Sequence, residues 1–187
     1  MAFDPRRVIV STMQALSGAG YPGVASVDIV DNVLPYIPNE EEKIELEPLK
    51  ILGNFKGSKV CPSDVKISAS CSRVNVADGH LECIFVEFET NPSVEEVREA
   101  FENFKGEPQE LKLPSAPENP IIVRNEPDRP QPRFDRDTGG GMSIVVGRIR
   151  HDHVLGIKYV CLSHNTIRGA AGAALLSAEL ASQKGYV

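Results

Sequence analysis

The predicted fold depends on Cys71-Ser-Arg-Val-Asn-Val-Ala-Asp-Gly-His80, where an Asp-Gly pair separates two segments rich in strand-forming residues. An Asp-Gly pair in this setting indicates a tight β-hairpin turn, because such turns need positive φ and glycine adopts it without a Cβ clash. We therefore predict a hairpin whose arms are residues 65–76 and 81–89. The apolar side chains of both arms would share one face away from the turn.

The predicted hairpin also brings two reactive side chains to one surface. If the turn is Asp78-Gly79 alone, His80 pairs with Ala77, and Arg73 lies four residues back on the same face. At ~3.3 Å per residue their Cα atoms would be roughly 13 Å apart, a gap that the long arginine side chain narrows. Imidazole titrates near neutral pH, and a guanidinium matches a carboxylate with two hydrogen bonds. The pair predicts a site for a small carboxylate, with His80 as acid/base and Arg73 as anion anchor.

Length and composition describe one globular domain, residues 1–187. The 187 residues are 41% hydrophobic and 25% charged, which is enough to bury a core. The net charge of -6, without a Lys/Arg-rich run, argues against nucleic acid or an anionic membrane as a partner. No apolar run approaches ~18 residues, and the first residues have the pattern of a strand rather than a signal sequence. We expect a cytoplasmic protein that binds small molecules or other proteins.

Three further patterns are weighed against simpler explanations. The four cysteines form no C-x-x-C pair, which favours a reduced setting and free thiols: Cys61, Cys71, Cys83 and Cys161. His151-Asp-His153 offers two imidazoles without a third ligand in sight, so we predict no metal. Gly18–Gly23 satisfies G-x-G-x-x-G, but the dinucleotide motif also needs a following helix and parallel strand. We predict a plain loop there.

The remaining patterns predict an α/β (α+β) fold, a mostly antiparallel sheet with helices on one face. The capping box Pro92-Ser-Val-Glu-Glu96 precedes an apolar stripe at helical spacing and predicts a helix that covers the sheet. Other predicted elements are a strand at 7–14, short helices within 24–53 that Pro48 kinks or restarts, a long ordered arm at 106–141, a hairpin of 142–150 with 155–163, and a helix from Thr166 whose small residues allow close packing.

Longer motifs are spread along the chain: Thr12-Met-Gln-Ala-Leu-Ser-Gly-Ala-Gly-Tyr-Pro-Gly-Val24, Arg73-Val-Asn-Val-Ala-Asp-Gly-His80, Leu113-Pro-Ser-Ala-Pro117, Arg129-Pro-Gln-Pro-Arg133 and Asn165-Thr-Ile-Arg-Gly-Ala-Ala-Gly172. Together they resemble aspartate-semialdehyde dehydrogenase of the archaeal and fungal type. The match runs nearly end to end, but it covers only the C-terminal half of that family, which binds substrate and forms the dimer. The resemblance implies the fold of the glyceraldehyde-3-phosphate dehydrogenase C-terminal domain.

The resemblance also implies roles for individual residues. In that family a cysteine attacks the aldehyde, a histidine acts as acid/base, hydride passes to NADP, and phosphate releases the acyl group. By position, the implied roles are acid/base for His80, carboxylate binding for Arg73, proximity to the reacting centre for Gln14, substrate binding for Glu47, phosphate binding for Lys50, and proximity to the nicotinamide for Asn165.

The sequence departs from the family in one large respect. The family's NADP-binding Rossmann half and its Asn-Cys-Ser/Thr nucleophile precede the point where this sequence begins, and none of the four cysteines sits in that motif. Because the redox step needs a thiolate and a positioned nicotinamide, we expect this chain alone to bind no cofactor.

Three hypotheses follow from this departure. The chain is a truncated dehydrogenase half, inactive without a Rossmann-domain partner; or a short relative redirected to cofactor-free isomerase, lyase or cyclase chemistry by His80 and Arg73; or a non-catalytic dimerisation partner of a full-length paralogue. In addition, we expect a homodimer.

Overall fold

The computed structural model describes residues 3–187 and is built on a seven-stranded sheet. Nine strands are present in that range: β1 Pro5–Gln14, β2 Val33–Leu34, β3 Asn54–Lys56, β4 Lys59–Cys61, β5 Lys66–Val74, β6 His80–Phe88, β7 Ile121–Arg124, β8 Ile144–Asp152 and β9 Gly156–Ser163. The sheet order is β2-β5-β1-β6-β9-β8-β7, and β3 and β4 form a separate ribbon. Only the β1–β5 and β7–β8 pairs are parallel, so the sheet is mostly antiparallel, as predicted.

The two strands around Asp78-Gly79 form, but the predicted hairpin is wrong. β1 lies between β5 and β6, parallel to the first and antiparallel to the second. His80 therefore pairs with Ser163 of β9 and not with Ala77. The Asp-Gly turn signal depends only on residues that are close in sequence. β1 is distant in sequence, and it separates the two strands because it pairs with both of them.

The loop between β5 and β6 crosses the end of β1. The backbone N–H groups of Leu16 and Ser17 donate to the carbonyl oxygens of Val76 and Ala77, at 2.8 and 3.1 Å. Gly79 has a φ of 97°, so the predicted need for a glycine at this turn is confirmed. The loop is thus fastened to the residues that follow β1.

Residues 3–187 include six α-helices: α1 Ser26–Ile29, α2 Glu40–Ile51, α3 Val94–Glu102, α4 Glu107–Glu110, α5 Pro132–Asp135 and α6 Gly172–Gln183. The predicted capping box of α3 is confirmed, since Ser93 Oγ accepts from Glu96 N–H at 3.2 Å and the Glu96 carboxylate accepts from Ser93 N–H at 2.8 Å. No helix within residues 3–187 is both long and apolar enough to cross a bilayer.

α2 covers the open edge of β5. Glu41 Oε1 accepts from the N–H of Cys71 at 2.9 Å, and Glu45 Oε1 accepts from the N–H of Ala69 at 3.0 Å. These two carboxylates satisfy strand donors that have no neighbouring strand. Pro48 lies inside α2, which continues to Ile51, so the predicted restart there is wrong. The anchoring carboxylates hold the helix although proline removes one backbone hydrogen bond.

The two faces of the sheet are covered differently. α3 packs on one face, here called the helix face, where Val97 joins a core with Val86, Val146 and Ile157. The opposite face is partly covered by the segment around α5, because the backbone of Arg129 lies directly against Gly147. The predicted arm at 106–141 is therefore partly regular, with α4, β7 and α5 within it, and it packs on its own sheet.

The C-terminal third follows the sequence prediction closely. β8 and β9 form the predicted antiparallel hairpin around His151-Asp-His153. A π-helical turn, Ile167–Ala171, leads into α6. Gly172 lies so close to the Met142 sulfur that no side chain fits between them, which confirms close packing at a small residue.

Candidate active site

Three neighbouring strands bring Gln14, Arg73 and His80 to one end of the sheet. Gln14 is paired with Arg73 across β1 and β5. On the other side of β1, Thr12 pairs with Glu82, and two residues further in each strand lie Gln14 and His80. Because side chains alternate with period two, all three project from the helix face. Arg73 and His80 thus share a surface, as predicted, although they lie on strands separated by β1.

Both side chains are held by the backbone of Ala15. Arg73 Nη1 donates to the Ala15 carbonyl oxygen at 2.7 Å, and His80 Nδ1 accepts from the Ala15 N–H at 3.1 Å. A Cβ atom added to Gly18 would lie 2.9 Å from Arg73 Nη1 and 3.0 Å from His80 Nε2. The guanidinium and the imidazole therefore both pack against the backbone of Gly18, where no larger residue fits.

Gly18, Arg73 and His80 line one cavity of about 430 Å³. Its polar wall consists of Gln14, Glu40, Lys43, Arg73 and His80, and its apolar wall of Val24, Leu34, Tyr36, Ile37 and Pro38. That volume and mixture suit a small polar molecule.

Arg73 gives the cavity its charge. Its side chain is only 5% exposed, and among residues 3–187 no carboxylate lies within 4.0 Å of it. Burial lowers the pKa of Arg73, and the charge of Glu40 opposes that effect. A guanidinium has five N–H donors, of which one is used by Ala15, so the group remains available to an anion.

The first turn of α2 supplies the other two charges. Glu40 Oε1 accepts from Gln14 Nε2 at 3.3 Å, and Lys43 Nζ lies 3.8 Å from Glu40 Oε2. By contrast, Glu47 and Lys50 are exposed further along α2 and do not line the cavity. The structure therefore does not bring these two predicted residues to the site.

Helix α2 contains the Glu-x-x-Lys spacing twice, at Glu40–Lys43 and at Glu47–Lys50. Seven residues of helix span ~10 Å, so only one pair can face the cavity. Glu40 is the first residue of the acidic helix, but the sequence pattern alone does not show which of the two pairs faces the cavity.

Asn165 lies behind the cavity. Its Oδ1 accepts from the Gly79 N–H at 2.9 Å, and its Nδ2 donates to Ser17 Oγ at 2.8 Å. The amide therefore joins the loop before β6 to the turn after β1. Its predicted place near a nicotinamide stays a prediction.

Gly18–Gly23 does not form a dinucleotide site. A strand parallel to β1 does exist, namely β5, contrary to our expectation. However, the glycines do not open a helix, since Gly20 and Gly23 both have positive φ and the next α-helix, the single turn α1, begins only at Ser26. Gly18–Gly23 therefore lacks the strand-turn-helix context of the dinucleotide motif.

The cysteines show no sign of nucleophilic activation. Cys71 is buried beneath the site, and burial raises the pKa of its thiol. Burial and the neighbouring Glu82 raise the pKa of Cys161 well above its ordinary value. Cys61 and Cys83 do not line the cavity. Within residues 3–187 there is also no group of three or more His, Cys, Asp or Glu residues that could hold a metal ion.

The fold and the cavity define a class: α/β domains that carry a cationic, small-molecule-sized pocket at one end of a mixed sheet. The chain belongs to a particular family within it, described as semialdehyde dehydrogenase, dimerisation domain, whose model matches residues 1–168.

Individual relatives show how far the similarity extends. The aspartate-semialdehyde dehydrogenase of Archaeoglobus fulgidus is 61% identical over 94% of this chain and 50% of that protein. The enzyme of the same name from Methanothermobacter thermautotrophicus is 52% identical over 97% of this chain and 53% of that protein. A crystal structure of aspartate semialdehyde dehydrogenase with NADP from Candida albicans aligns with a TM-score of 0.90 at 45% identity, covering 98% of this chain and 52% of that one.

The chain thus spans about half the length of the relatives it matches. The resemblance inferred from the sequence motifs is confirmed, including its restriction to one half of the family. The α/β fold with a mostly antiparallel sheet is confirmed as well.

Proposed function

We propose that this chain is the substrate-binding and dimer-forming half of a semialdehyde dehydrogenase, and that its cavity binds a small carboxylate such as an amino-acid semialdehyde. One observation carries the proposal: Arg73 is 5% exposed and has no carboxylate partner among residues 3–187. A buried cation is costly unless it is paired, and a substrate carboxylate would supply the pair with two charge-assisted hydrogen bonds.

The other polar residues suit the rest of such a substrate. His80 lines the same cavity as the guanidinium and would contact a reacting carbonyl oxygen at the other end of a short molecule. The Glu40 carboxylate suits a substrate ammonium group, and Lys43 suits a second anion such as phosphate. These two residues take the roles that the sequence had suggested for Glu47 and Lys50.

We infer that redox chemistry needs a Rossmann half. Such a half would supply NADP and a cysteine nucleophile, as in the family to which the chain belongs. Within this chain the raised thiol pKa values of Cys71 and Cys161 make both poor nucleophiles. The chain alone is then expected to bind a carboxylate without reducing NADP.

Lys43→Gln and Lys50→Gln form a matched pair that tests which turn of α2 faces the ligand. We expect Lys43→Gln to weaken the binding of inorganic phosphate roughly 3- to 10-fold, because it removes one partly exposed charge contact of about 1 kcal/mol. Lys50→Gln makes the same chemical change outside the cavity and should leave the Kd unchanged. Isothermal titration calorimetry measures both, and a larger effect at Lys50 would overturn this assignment of the helix.

We also propose that the chain forms a homodimer through the part of the sheet that the arm leaves open. Ile9 on β1 is 47% exposed on the face opposite α3 and α2, beside the polar row Ser68, Ser70 and Ser72 of β5. Such a half-apolar sheet surface suits a symmetric contact with a second copy.

Ile9→Lys is expected to shift the chain from dimer to monomer, because a lysine on this surface would meet its own copy across a two-fold axis. Sedimentation velocity measures the change. Val27→Lys, at an 89% exposed position on α1, is the control and should leave the dimer intact. A monomeric parent chain at micromolar concentration, or a dimeric Ile9→Lys variant, would contradict the proposed surface.

A further inference from the structure

We propose that an apolar groove on the helix face receives one amphipathic helix of a Rossmann half, and that it does so when this half is a separate chain. The apolar groove lies between the end of α2 and α3 and has a volume of about 460 Å³. Its floor and walls include Val8, Leu52, Ile84, Phe101, Phe104 and Tyr159. The inference rests on the function proposed above, because only a dehydrogenase half would have such a partner.

The apolar groove runs along the middle of the sheet. β6 is the fourth of the seven strands, yet Glu82 and Ile84 on its helix face are only half-buried. The same holds for Tyr159 and Cys161 on the neighbouring β9. Apolar side chains of a central strand are normally the most buried of a sheet face that is covered along its whole width. The helix face is therefore open at its centre.

The width of this opening fits one helix. α2 packs on β5, whereas α3 packs on β7 and β8. Three strands separate β5 from β8, so at ~4.8 Å per strand the two lie roughly 19 Å apart. Neighbouring helices pack with their axes ~8–10 Å apart. A helix that lies over β6 would therefore contact α2 on one side and α3 on the other.

The lining residues define the character of that helix. None of the residues that line the apolar groove is charged, and Phe104 is 50% exposed. A continuous apolar surface of this kind is typical of a contact with another protein segment. Toward the cavity of Arg73 the next row of the sheet is polar, since Thr12 pairs with Glu82 there. Thr12 Oγ1 is buried and has no hydrogen-bond partner among residues 3–187. The matching helix is apolar along the groove and polar at the end near the cavity.

The relatives indicate where this helix comes from. The chain spans about half the length of the Archaeoglobus fulgidus enzyme, so that protein has a second half of similar size. A second copy of this chain fits less well. Across a two-fold axis the apolar groove would face another groove, and two concave surfaces do not fill each other. The Rossmann half is therefore the better occupant.

Calorimetric titration with the unmatched half of the Archaeoglobus fulgidus enzyme tests this inference. NADP binding by this probe first shows that it is folded, and co-purification after co-expression gives the same comparison for a probe that does not fold alone. We expect the parent chain to bind the probe with one-to-one stoichiometry. Phe104→Glu should bind it roughly 10- to 100-fold more weakly, because the new carboxylate would be buried against an apolar helix.

Phe134→Glu is the matched control. It makes the same chemical change at a 62% exposed position of α5, on the opposite side of the sheet, and should leave the Kd for the probe unchanged. Both variants should keep the urea midpoint of the parent, since at least half of each phenylalanine is exposed in the free chain.

Equal affinity of the parent and Phe104→Glu chains for the probe would overturn the assignment of the groove. A parent chain that does not bind a folded probe would overturn the inference as a whole, and binding of succinate by the same chain would then show that the carboxylate site is independent of it. Sedimentation velocity without the probe covers the remaining case. Self-association that Phe104→Glu abolishes would show that a second copy occupies the groove, which would also overturn the inference.

Discussion

We expect Arg73→Gln to bind succinate roughly 10- to 100-fold more weakly than the parent chain, because a charge-assisted hydrogen-bonded contact contributes about 1.5–3 kcal/mol. Arg73 is the only polar side chain of the cavity that combines a full positive charge with burial to 5% exposure. Glutamine keeps a donor but loses both the charge and the planar fork. Calorimetric titration measures the change in Kd.

Two comparisons separate ligand binding from folding in that experiment. Burial lowers the pKa of Arg73, so its charge is unfavourable to the folded chain, and removing it should not lower the urea midpoint. Arg133→Gln makes the same change on the exposed side of α5 and should leave the Kd for succinate unchanged. Equal affinity of the Arg73→Gln and parent chains would remove Arg73 from the binding site.

Asp135→Asn is expected to destabilise the fold by about 3–5 kcal/mol, the usual cost of removing one partner of a buried ion pair. The Asp135 side chain is fully buried and accepts two hydrogen bonds from Arg129. It also lies 3.3 Å from Arg124 Nε and accepts from the Gln131 N–H at 2.7 Å. An uncharged amide would leave Arg124 and Arg129 facing each other without an anion between them. Urea unfolding measures the loss.

The pH dependence of Asp135→Asn follows from the sign of its pKa shift. Burial would raise the pKa of Asp135, but hydrogen bonds from Arg129 and Gln131 outweigh it, and the net shift is downward. The carboxylate therefore stabilises the fold above the unfolded pKa of about 4, and this contribution is lost as the pH falls through the lower folded value. The gap between parent and variant should be constant near neutrality and narrow in acid.

Asp137→Asn provides the control, since that carboxylate is 75% exposed and its neighbours His164 Nε2 and Arg136 Nε lie 3.7 and 3.8 Å away. Its unfolding free energy should match that of the parent. If Asp135→Asn were as stable as this control, the ion pairs of Asp135 with Arg124 and Arg129 would not hold the segment around α5 to β7.

Local sequence signals predicted the individual strands and helices of this fold better than they predicted which strands pair with each other. The capping box at Ser93 and Glu96 and the hairpin of β8 with β9 depend on residues close in sequence, and both are confirmed. The Asp78-Gly79 turn is also local, but the pairing it suggested is wrong because β1 enters between the two strands. Nothing near residue 78 encodes that insertion.

The site was predicted in part, and for a partly wrong reason. Arg73 and His80 do lie at one site, but β1 separates their strands and both side chains are hydrogen-bonded to the backbone of Ala15. No rule of composition or spacing identifies that arrangement. The choice between Glu40–Lys43 and Glu47–Lys50 depends on how α2 docks on the edge of β5. Docking is set by tertiary contacts, so a spacing repeated in one helix could not resolve it.

The most direct test of the proposed site is a crystal structure of the chain with succinate. We predict one carboxylate on the guanidinium of Arg73 and the other end of the molecule within hydrogen-bond distance of His80 Nε2. Succinate bound elsewhere, for example beside Glu47 and Lys50, with the cavity lined by Arg73 and His80 filled by water alone, would contradict the account.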